Sequence, residues 1–243
     1  MTSVAGTIRF AVARVSDELG EDLEVQVFVD DIEMTSRGAG LGMSPFGLLL
    51  PENRLVATAE PRVVPIARCT CGTYGCGVTD VQIRREGHVV HWDWLHATPV
   101  DHGATFDAAA YDAEVARIGA DHTWERPEDT AERLILTGVD HAWLAAEGLR
   151  LQFARPVFDD PSTYRVVLRT TDPGYQVFLR FPLRGRSPVE VVDEALKTLR
   201  TPPASWPATF SPMSTAAVVA GPPAIAGRRW RQEHFLRRRG RKG

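Results

Sequence analysis

The chain lacks most of the features from which a function can be read directly. It has only three cysteines among 243 residues, and its apolar runs, such as residues 216–220, are much shorter than the ~20 residues that cross a bilayer. The N-terminus lacks the basic start and apolar centre of a secretory signal, and neither a P-loop nor a Rossmann glycine motif is present. These absences argue against membrane, secreted and nucleotide-binding proteins, and they predict a soluble cytoplasmic protein with reduced thiols.

The composition is that of an ordinary globular protein. Hydrophobic residues make up 44% of the chain and charged residues 24%. A chain of this length can bury a substantial core as one large domain or two small ones, without disulfide cross-links.

Charge is distributed unevenly along the chain. Residues 228–243 contain eight Arg or Lys and one acid, a net +7, so the total of -3 leaves -10 for residues 1–227. An acidic body argues against nucleic-acid binding by the body itself. The basic tail, in which Trp230 and Phe235 are interleaved, is a candidate for contact with nucleic acid or another polyanion, but solubility or an acidic partner explains it more simply.

Periodic patterns predict strands interrupted by helices. Alternating or β-branched runs predict strands near residues 7–15, 23–29, 63–66, 78–83, 88–94, 149–153, 164–169 and 175–183. Capping signals predict helices beginning after Asp107, at Pro127 and after Ser187, with a further turn or two at 141–148. Pro65 favours an edge position for the strand at 63–66. The fold class that follows is α+β, with largely antiparallel sheet and about three packed helices.

The same patterns suggest how the chain is divided. Residues 1–200 are predicted to be globular, with two sub-layers at about 1–138 and 139–200. Six of the 17 prolines fall within residues 201–227, which predicts a Pro/Ala-rich linker there. The basic residues 228–243 are predicted to be a disordered tail.

All three cysteines lie within eight residues, in the segment Cys69-Thr-Cys71-Gly-Thr-Tyr-Gly-Cys76. Glycine-rich loops allow several sulfurs to converge on one ion, so the segment is a candidate zinc site. His91 is the preferred fourth ligand, with His88, His96 and His102 as alternatives. The Cys-x-Cys-x4-Cys spacing differs from paired Cys-x2-Cys sets, so plain thiols and a disulfide such as Cys71 with Cys76 remain open.

Histidines and acids follow the cysteines on the strand at 88–94. His91 and Asp93 share one face of that strand, and Trp92 and Trp94 share the opposite face, which we expect to be buried. His91 with Asp93 is therefore a candidate acid/base pair that would activate a cysteine or a metal-bound water. The simpler interpretation is a solvent-exposed strand face.

A resemblance covers little more than a third of the chain. Residues 68–77 form the pattern Arg-Cys-x-Cys-Gly-x-x-Gly-Cys-Gly. They are preceded by Leu49-Leu50-Pro51 and followed by Trp92, Tyr111 and Trp124-Glu125. In this order of features the chain resembles a group of actinobacterial proteins of unknown function. The resemblance implies a shared domain and carries no activity with it.

The sequence thus favours a binding or regulatory protein that is not an enzyme, has a structural zinc at the cysteine loop and acts on a protein partner. The alternative is a small metal- or thiol-dependent enzyme that uses the cysteines with His91 and Asp93.

Overall fold

The computed structural model describes residues 6–17, 20–71, 76–171 and 174–233. The chain forms two compact units, residues 1–124 and residues 125–243. It is an α+β protein whose sheets are mostly antiparallel, as the sequence predicts. None of the described helices has the length and apolar character needed to cross a membrane.

The described residues of the first unit form two antiparallel sheets and two helices. Its strands are β1 (Ile8–Asp17), β2 (Gly20–Val29), β3 (Ile32–Glu33), β4 (Gly40–Gly42), β5 (Arg62–Cys69), β6 (Val78–Glu86), β7 (Val89–His96) and β8 (Ala104–Asp107). Its helices are α1 (Pro45–Leu48) and α2 (Ala108–Ala120). The sheets have the strand orders β1-β2-β3 and β4-β5-β6-β7-β8.

The core of the first unit is built around Trp92. This side chain is fully buried, and its ring meets those of Phe10, Trp94, Phe106 and Tyr111 at centroid distances of 5.5 to 6.1 Å. The prediction that β7 buries its tryptophan face is therefore confirmed. Aromatic pairs at such distances add to the free energy gained by removing large apolar surfaces from water.

Helix α2 begins where the sequence predicts. The Asp107 carboxylate accepts a hydrogen bond from the Ala110 N–H at 2.9 Å, which satisfies one of the free donors of the first turn. Tyr111, Val115 and Ile118 then recur at helical spacing and are buried in the core.

The second unit places helices against a five-stranded sheet. Its elements are α3 (Pro127–Gly138), α4 (His141–Ala146), β9 (Leu149–Val157), β10 (Asp160–Thr170), β11 (Tyr175–Pro182), α5 (Val192–Leu199), β12 (Ala208–Pro212), α6 (Thr215–Ala220) and β13 (Arg231–Gln232). The strand order is β13-β12-β11-β10-β9, and only the β12–β13 pair of this described sheet is parallel. The capping box at Ser187 and Glu190 forms as predicted, although the turn it starts is a 3-10 turn that leads into α5.

The predicted linker at 201–227 is wrong. Strand β12 lies inside this segment and pairs with β11 from Leu179↔Ala208 to Tyr175↔Pro212. Trp206 is almost fully buried, and its indole N–H donates to the Thr201 carbonyl at 3.0 Å. The prolines therefore shape short turns between packed elements and do not release the chain into solvent.

The predicted tail begins too early, because residues 228–233 belong to the second unit. The Trp230 ring is buried and stacks on Trp206 at 6.4 Å, and β13 pairs with β12. Residues 234–243, where the rest of the predicted tail falls, lie outside the described residues. The boundary expected near 138 is also displaced, since α3 belongs with the strands that follow it.

Candidate metal centre

The cysteine loop joins β5 to β6 at one end of the first unit. Cys69 is the last residue of β5, and its N–H donates to the Gly77 carbonyl at 2.8 Å. This hydrogen bond closes the base of the hairpin, so Cys76 is brought close to Cys69. The Cys71 N–H in turn lies 3.5 Å from the Cys69 sulfur. Residues 72–75, at the tip of the loop, lie outside the described residues.

The three sulfurs are close enough to share one ion. The Sγ atoms of Cys69, Cys71 and Cys76 all lie within 4.8 Å of one another. Cys69 is half-buried, whereas Cys71 and Cys76 are exposed to solvent. Tetrahedral zinc with Zn–S bonds of ~2.3 Å holds its sulfurs about 3.8 Å apart, so small rotations of these side chains would suffice. Three soft sulfur donors fit zinc and other thiophilic ions better than Ca²⁺ or Mg²⁺.

The crowding of the thiols affects their ionisation. Hydrogen bonds with Cys69 and Cys71, together with their electrostatic effect, raise the pKa of the Cys76 thiol above its ordinary value. Without a cation, three negative sulfurs at this spacing would repel one another. A bound metal ion reverses this balance, because it stabilises thiolates directly.

Gly40 allows the neighbouring strand to approach the loop. It lies opposite Cys69 in the β4–β5 ladder with a φ of 118°, a backbone conformation that other residues rarely adopt. A Cβ at this position would lie 2.7 Å from the Thr70 Cγ2 atom. The need for glycine at position 40 has a clear physical cause, but it is visible only once the pairing of β4 with β5 is known.

The structure does not bring His91 to the sulfurs. His91 pairs with Arg84 in the β6–β7 ladder, whereas the cysteine loop enters β6 at Val78. Six residues of strand separate these positions, roughly 20 Å. The His91 Nε2 atom instead lies 3.5 Å from Oε2 of Glu86, which is at the opposite end of β6 from the cysteine loop. Among the described residues, His91 is therefore not one of the ligand atoms that lie close to the sulfurs.

Asp93, the other member of the proposed acid/base pair, also lies away from the cysteines. Asp93 pairs with Gln82 in the same ladder, and its Oδ2 atom lies 4.0 Å from Arg84 Nε. His91 and Asp93 therefore each lie beside a charged side chain of β6, Glu86 and Arg84 respectively, and not beside a cysteine. Their shared strand face was predicted correctly, but a shared face says nothing about distance along the strand.

The other histidines named as ligands also lie apart from the sulfurs. His96 is closest in strand register, since it pairs with Thr79, but its Nδ1 atom lies 3.3 Å from Asp80 Oδ2. His88 lies in the β6–β7 turn, and His102 lines a separate cavity. Among the described residues, the group of neighbouring ligand atoms consists of the three sulfurs alone.

Comparison with known protein families, with curated proteins and with solved structures finds no match to this chain. Its candidate chemistry therefore rests on the geometry of the loop itself.

Proposed function

We propose that the first unit binds a zinc ion through Cys69, Cys71 and Cys76, and that the protein acts by binding a partner. The observation that carries the proposal is the convergence of the three sulfurs within 4.8 Å of one another. The ion would brace the β5–β6 hairpin, since it would join the end of one strand to the start of the next through a glycine-rich loop.

A binding role is favoured over catalysis by the positions of His91 and Asp93. Catalytic zinc sites with three protein ligands need a base that can reach the bound water. Strand register places the two candidate groups roughly 20 Å and more than 10 Å along β6 from the loop end. The enzyme alternative thereby loses the acid/base pair on which it depends.

The kind of partner follows from charge. The first unit contains 18 Asp or Glu and nine Arg, so its net charge is -9, which is nearly all of the net charge of -10 carried by residues 1–227. A strongly acidic surface attracts basic partners over distances comparable to the Debye length. A cationic protein surface is therefore the partner class that we propose for this unit.

The metal is tested by elemental analysis of the full chain, as purified and after reconstitution with zinc. We expect one ion per chain, retained in His91→Ala and lost when all three cysteines become serine. Cobalt substitution adds a direct count of sulfur ligands, because thiolate-to-cobalt charge transfer scales with the number of thiolates. Retention of the ion in the triple serine variant, or failure to bind zinc at micromolar concentrations, would show that the loop is not a metal site.

The binding role is tested separately with zinc-loaded protein. Immobilised peptides rich in lysine and arginine stand in for the cationic partner, and they should retain the zinc-loaded protein at low salt and release it at high salt. Hydrolase or transferase activity that depends on the cysteines would contradict the proposal.

A further inference from the structure

A second candidate site lies within the first unit, at the end where the β2–β3 turn meets the loop between β7 and β8. It is a cavity of about 320 Å³, at the lower end of the range of small-ligand sites. Its walls are mainly apolar, formed by Trp94, Met34, Val29 and Val100. None of the cysteines contributes to it, so this site does not depend on the metal proposal.

Trp94 gives the cavity an aromatic wall. Only 9% of its surface is exposed, and its indole N–H is buried without an acceptor among the described residues. By contrast, the indole N–H groups of Trp92 and Trp124 donate to the Tyr111 hydroxyl and the Asp121 carbonyl. Buried donors in folded proteins are nearly always satisfied, so the Trp94 indole differs from the other two in having no acceptor among the described residues.

Asp30 gives the cavity a charged group, because its carboxylate is held in place there. Asp30 and Asp31 form the two-residue β2–β3 turn, with φ values of 50° and 61°. The Asp30 Oδ1 atom accepts the Thr7 N–H at 2.7 Å, and the Asp30 N–H donates to the Thr7 carbonyl at 3.0 Å. This arrangement fixes the carboxylate before any ligand arrives.

Gly6 keeps the second carboxylate oxygen approachable. A Cβ at this position would lie 3.1 Å from Asp30 Oδ2, so any larger residue would crowd that oxygen. Gly6 is itself fixed by donation of its N–H to the Thr105 carbonyl at 2.8 Å. The cavity therefore combines a positioned carboxylate oxygen, an aromatic wall and an apolar floor, in a unit of net charge -9.

We propose that this cavity binds a small organic cation, an amine with an apolar or aromatic body. Its ammonium group would donate to Asp30 Oδ2 in a charge-assisted hydrogen bond, and its body would pack on Trp94, Met34 and Val100. Trp94 adds the attraction of an aromatic face for a cation. A neutral ligand of the same shape would lack the attraction between opposite charges, and an anion would be repelled by Asp30.

The probe is benzylamine, with benzyl alcohol as its neutral counterpart of similar size. Binding to the ¹⁵N-labelled full chain is followed at pH 8 through the indole N–H resonances, and the Trp94 resonance is assigned by its loss in Trp94→Phe. We expect benzylamine to shift the Trp94 resonance in a saturable manner and benzyl alcohol to bind more weakly.

The decisive comparison is between two adjacent substitutions. Asp30→Asn keeps an oxygen for Thr7 and suits the positive φ, but it removes the charge at the cavity. It should weaken benzylamine binding about tenfold and benzyl alcohol binding much less, because only the amine loses an attraction between opposite charges. Asp31→Asn removes an equal charge from the same turn outside the cavity lining, and it should change the affinity for benzylamine less than about threefold.

Three results would overturn the proposal: an unmoved Trp94 resonance, equal affinity for amine and alcohol, or equal weakening by both asparagine variants. The last result would assign any binding to the general negative field of the unit. Dispersed spectra and unchanged melting temperatures of the variants establish that they are folded.

Discussion

The Glu114 carboxylate on α2 accepts the backbone N–H of Phe10 in β1 at 2.6 Å. Arg117, one turn further along the helix, donates to the Phe10 carbonyl at 2.5 Å and is itself paired with Glu114. Glu114 and Arg117 thus bond the N–H and carbonyl of Phe10, as a neighbouring strand would. Phe10 belongs to β1, which lies at the edge of its sheet. Unpaired edge strands invite association with other chains, and covering them with a helix is a recognised protection.

Replacement of Glu114 by alanine should therefore destabilise the first unit. The substitution removes the acceptor of the Phe10 N–H. Because Phe10 is buried, an unsatisfied N–H there would lower the free energy of unfolding by about 1–3 kcal/mol. Partial burial opposes ionisation of Glu114, but hydrogen bonds from Arg117 and the Phe10 N–H outweigh it and lower the pKa. The stabilisation is present at neutral pH and is lost as pH falls through that lowered pKa.

Urea denaturation at pH 7 measures this loss, and Asp112→Ala is the matched control. Asp112 lies on the same helix and pairs with Arg85 at the exposed surface, where such pairs contribute at most about 1 kcal/mol. Amide exchange at Phe10 should accelerate in Glu114→Ala alone. Equal destabilisation by the two alanine variants would mean that the bond to Phe10 has no special importance.

In the second unit a glutamate on a helix also accepts a strand N–H, but its pKa is raised, whereas that of Glu114 is lowered. Glu132 on α3 accepts the Ala154 N–H in β9 at 3.2 Å and lies 3.2 Å from Arg155 Nε. Burial raises the pKa of Glu132 to about 7, although Arg155 and the Ala154 N–H oppose the shift. The carboxyl is more deeply buried than that of Glu114, so desolvation prevails over its hydrogen bonds.

This shift predicts a pH-dependent effect of Glu132→Gln. The ordinary carboxyl pKa is 4.5, so the folded unit holds its proton more tightly than the unfolded chain. The contribution of Glu132 to stability is full below pH 4.5 and is lost as pH rises through about 7. Glutamine should therefore gain stability relative to the wild type between pH 5 and pH 8, by up to about 3 kcal/mol.

Urea denaturation curves at the two pH values measure this gain. Glu128→Gln makes the same chemical change on the same helix at a less buried position. A pH-dependent gain shared by both glutamine variants, or none in Glu132→Gln, would contradict the assignment to the buried carboxyl.

Local patterns were sufficient to predict most of the elements. The alternation in β7 identified its buried face, and the caps at Asp107 and Ser187 marked where helical turns begin. Capping and alternation depend on residues that are close together in the chain, so they can be recognised in the sequence alone. The strand at 63–66 was also predicted, but it lies within β5 between two other strands, and a register shift at Pro65 accommodates the missing donor.

The errors arose where distant residues decide the structure. Prolines at 201–227 suggested a linker because local propensity does not show that Trp206 finds a buried place beside Trp230. The cysteine cluster was correctly singled out, since its members are neighbours in sequence. The choice of His91 as fourth ligand depended on strand register, which the residues of a single strand do not determine.

The packing of the C-terminal segment gives a direct prediction for Trp230. Its indole N–H donates to the Pro203 carbonyl at 2.9 Å, and its ring contacts those of Trp206 and Phe210. Trp230→Ala should destabilise the second unit by about 3–5 kcal/mol, because it removes a large buried side chain and leaves a cavity.

The control is Arg229→Ala. The Arg229 side chain is adjacent in the chain but exposed to solvent, so this variant should change stability by no more than about 0.5 kcal/mol. Denaturation of the full chain distinguishes the two, and a Trp230→Ala variant as stable as Arg229→Ala would restore the interpretation of this segment as a tail.

The spacing of the sulfurs also predicts competition between metal binding and oxidation. In metal-free protein, diamide should remove two hydrogen atoms from the cluster and join Cys76 to Cys69 or to Cys71, because a Cys69–Cys71 disulfide would be strained. Thiol titration in denaturant would then fall from three thiols per chain to one. Zinc should slow this reaction, since its thiolate ligands are held by the ion and are less available to attack the oxidant.

His91→Ala should be protected by zinc as fully as the wild type, because that side chain lies far from the sulfurs. A titre that stays at three without metal, or zinc that gives no protection, would show that the three sulfurs do not act as one cluster.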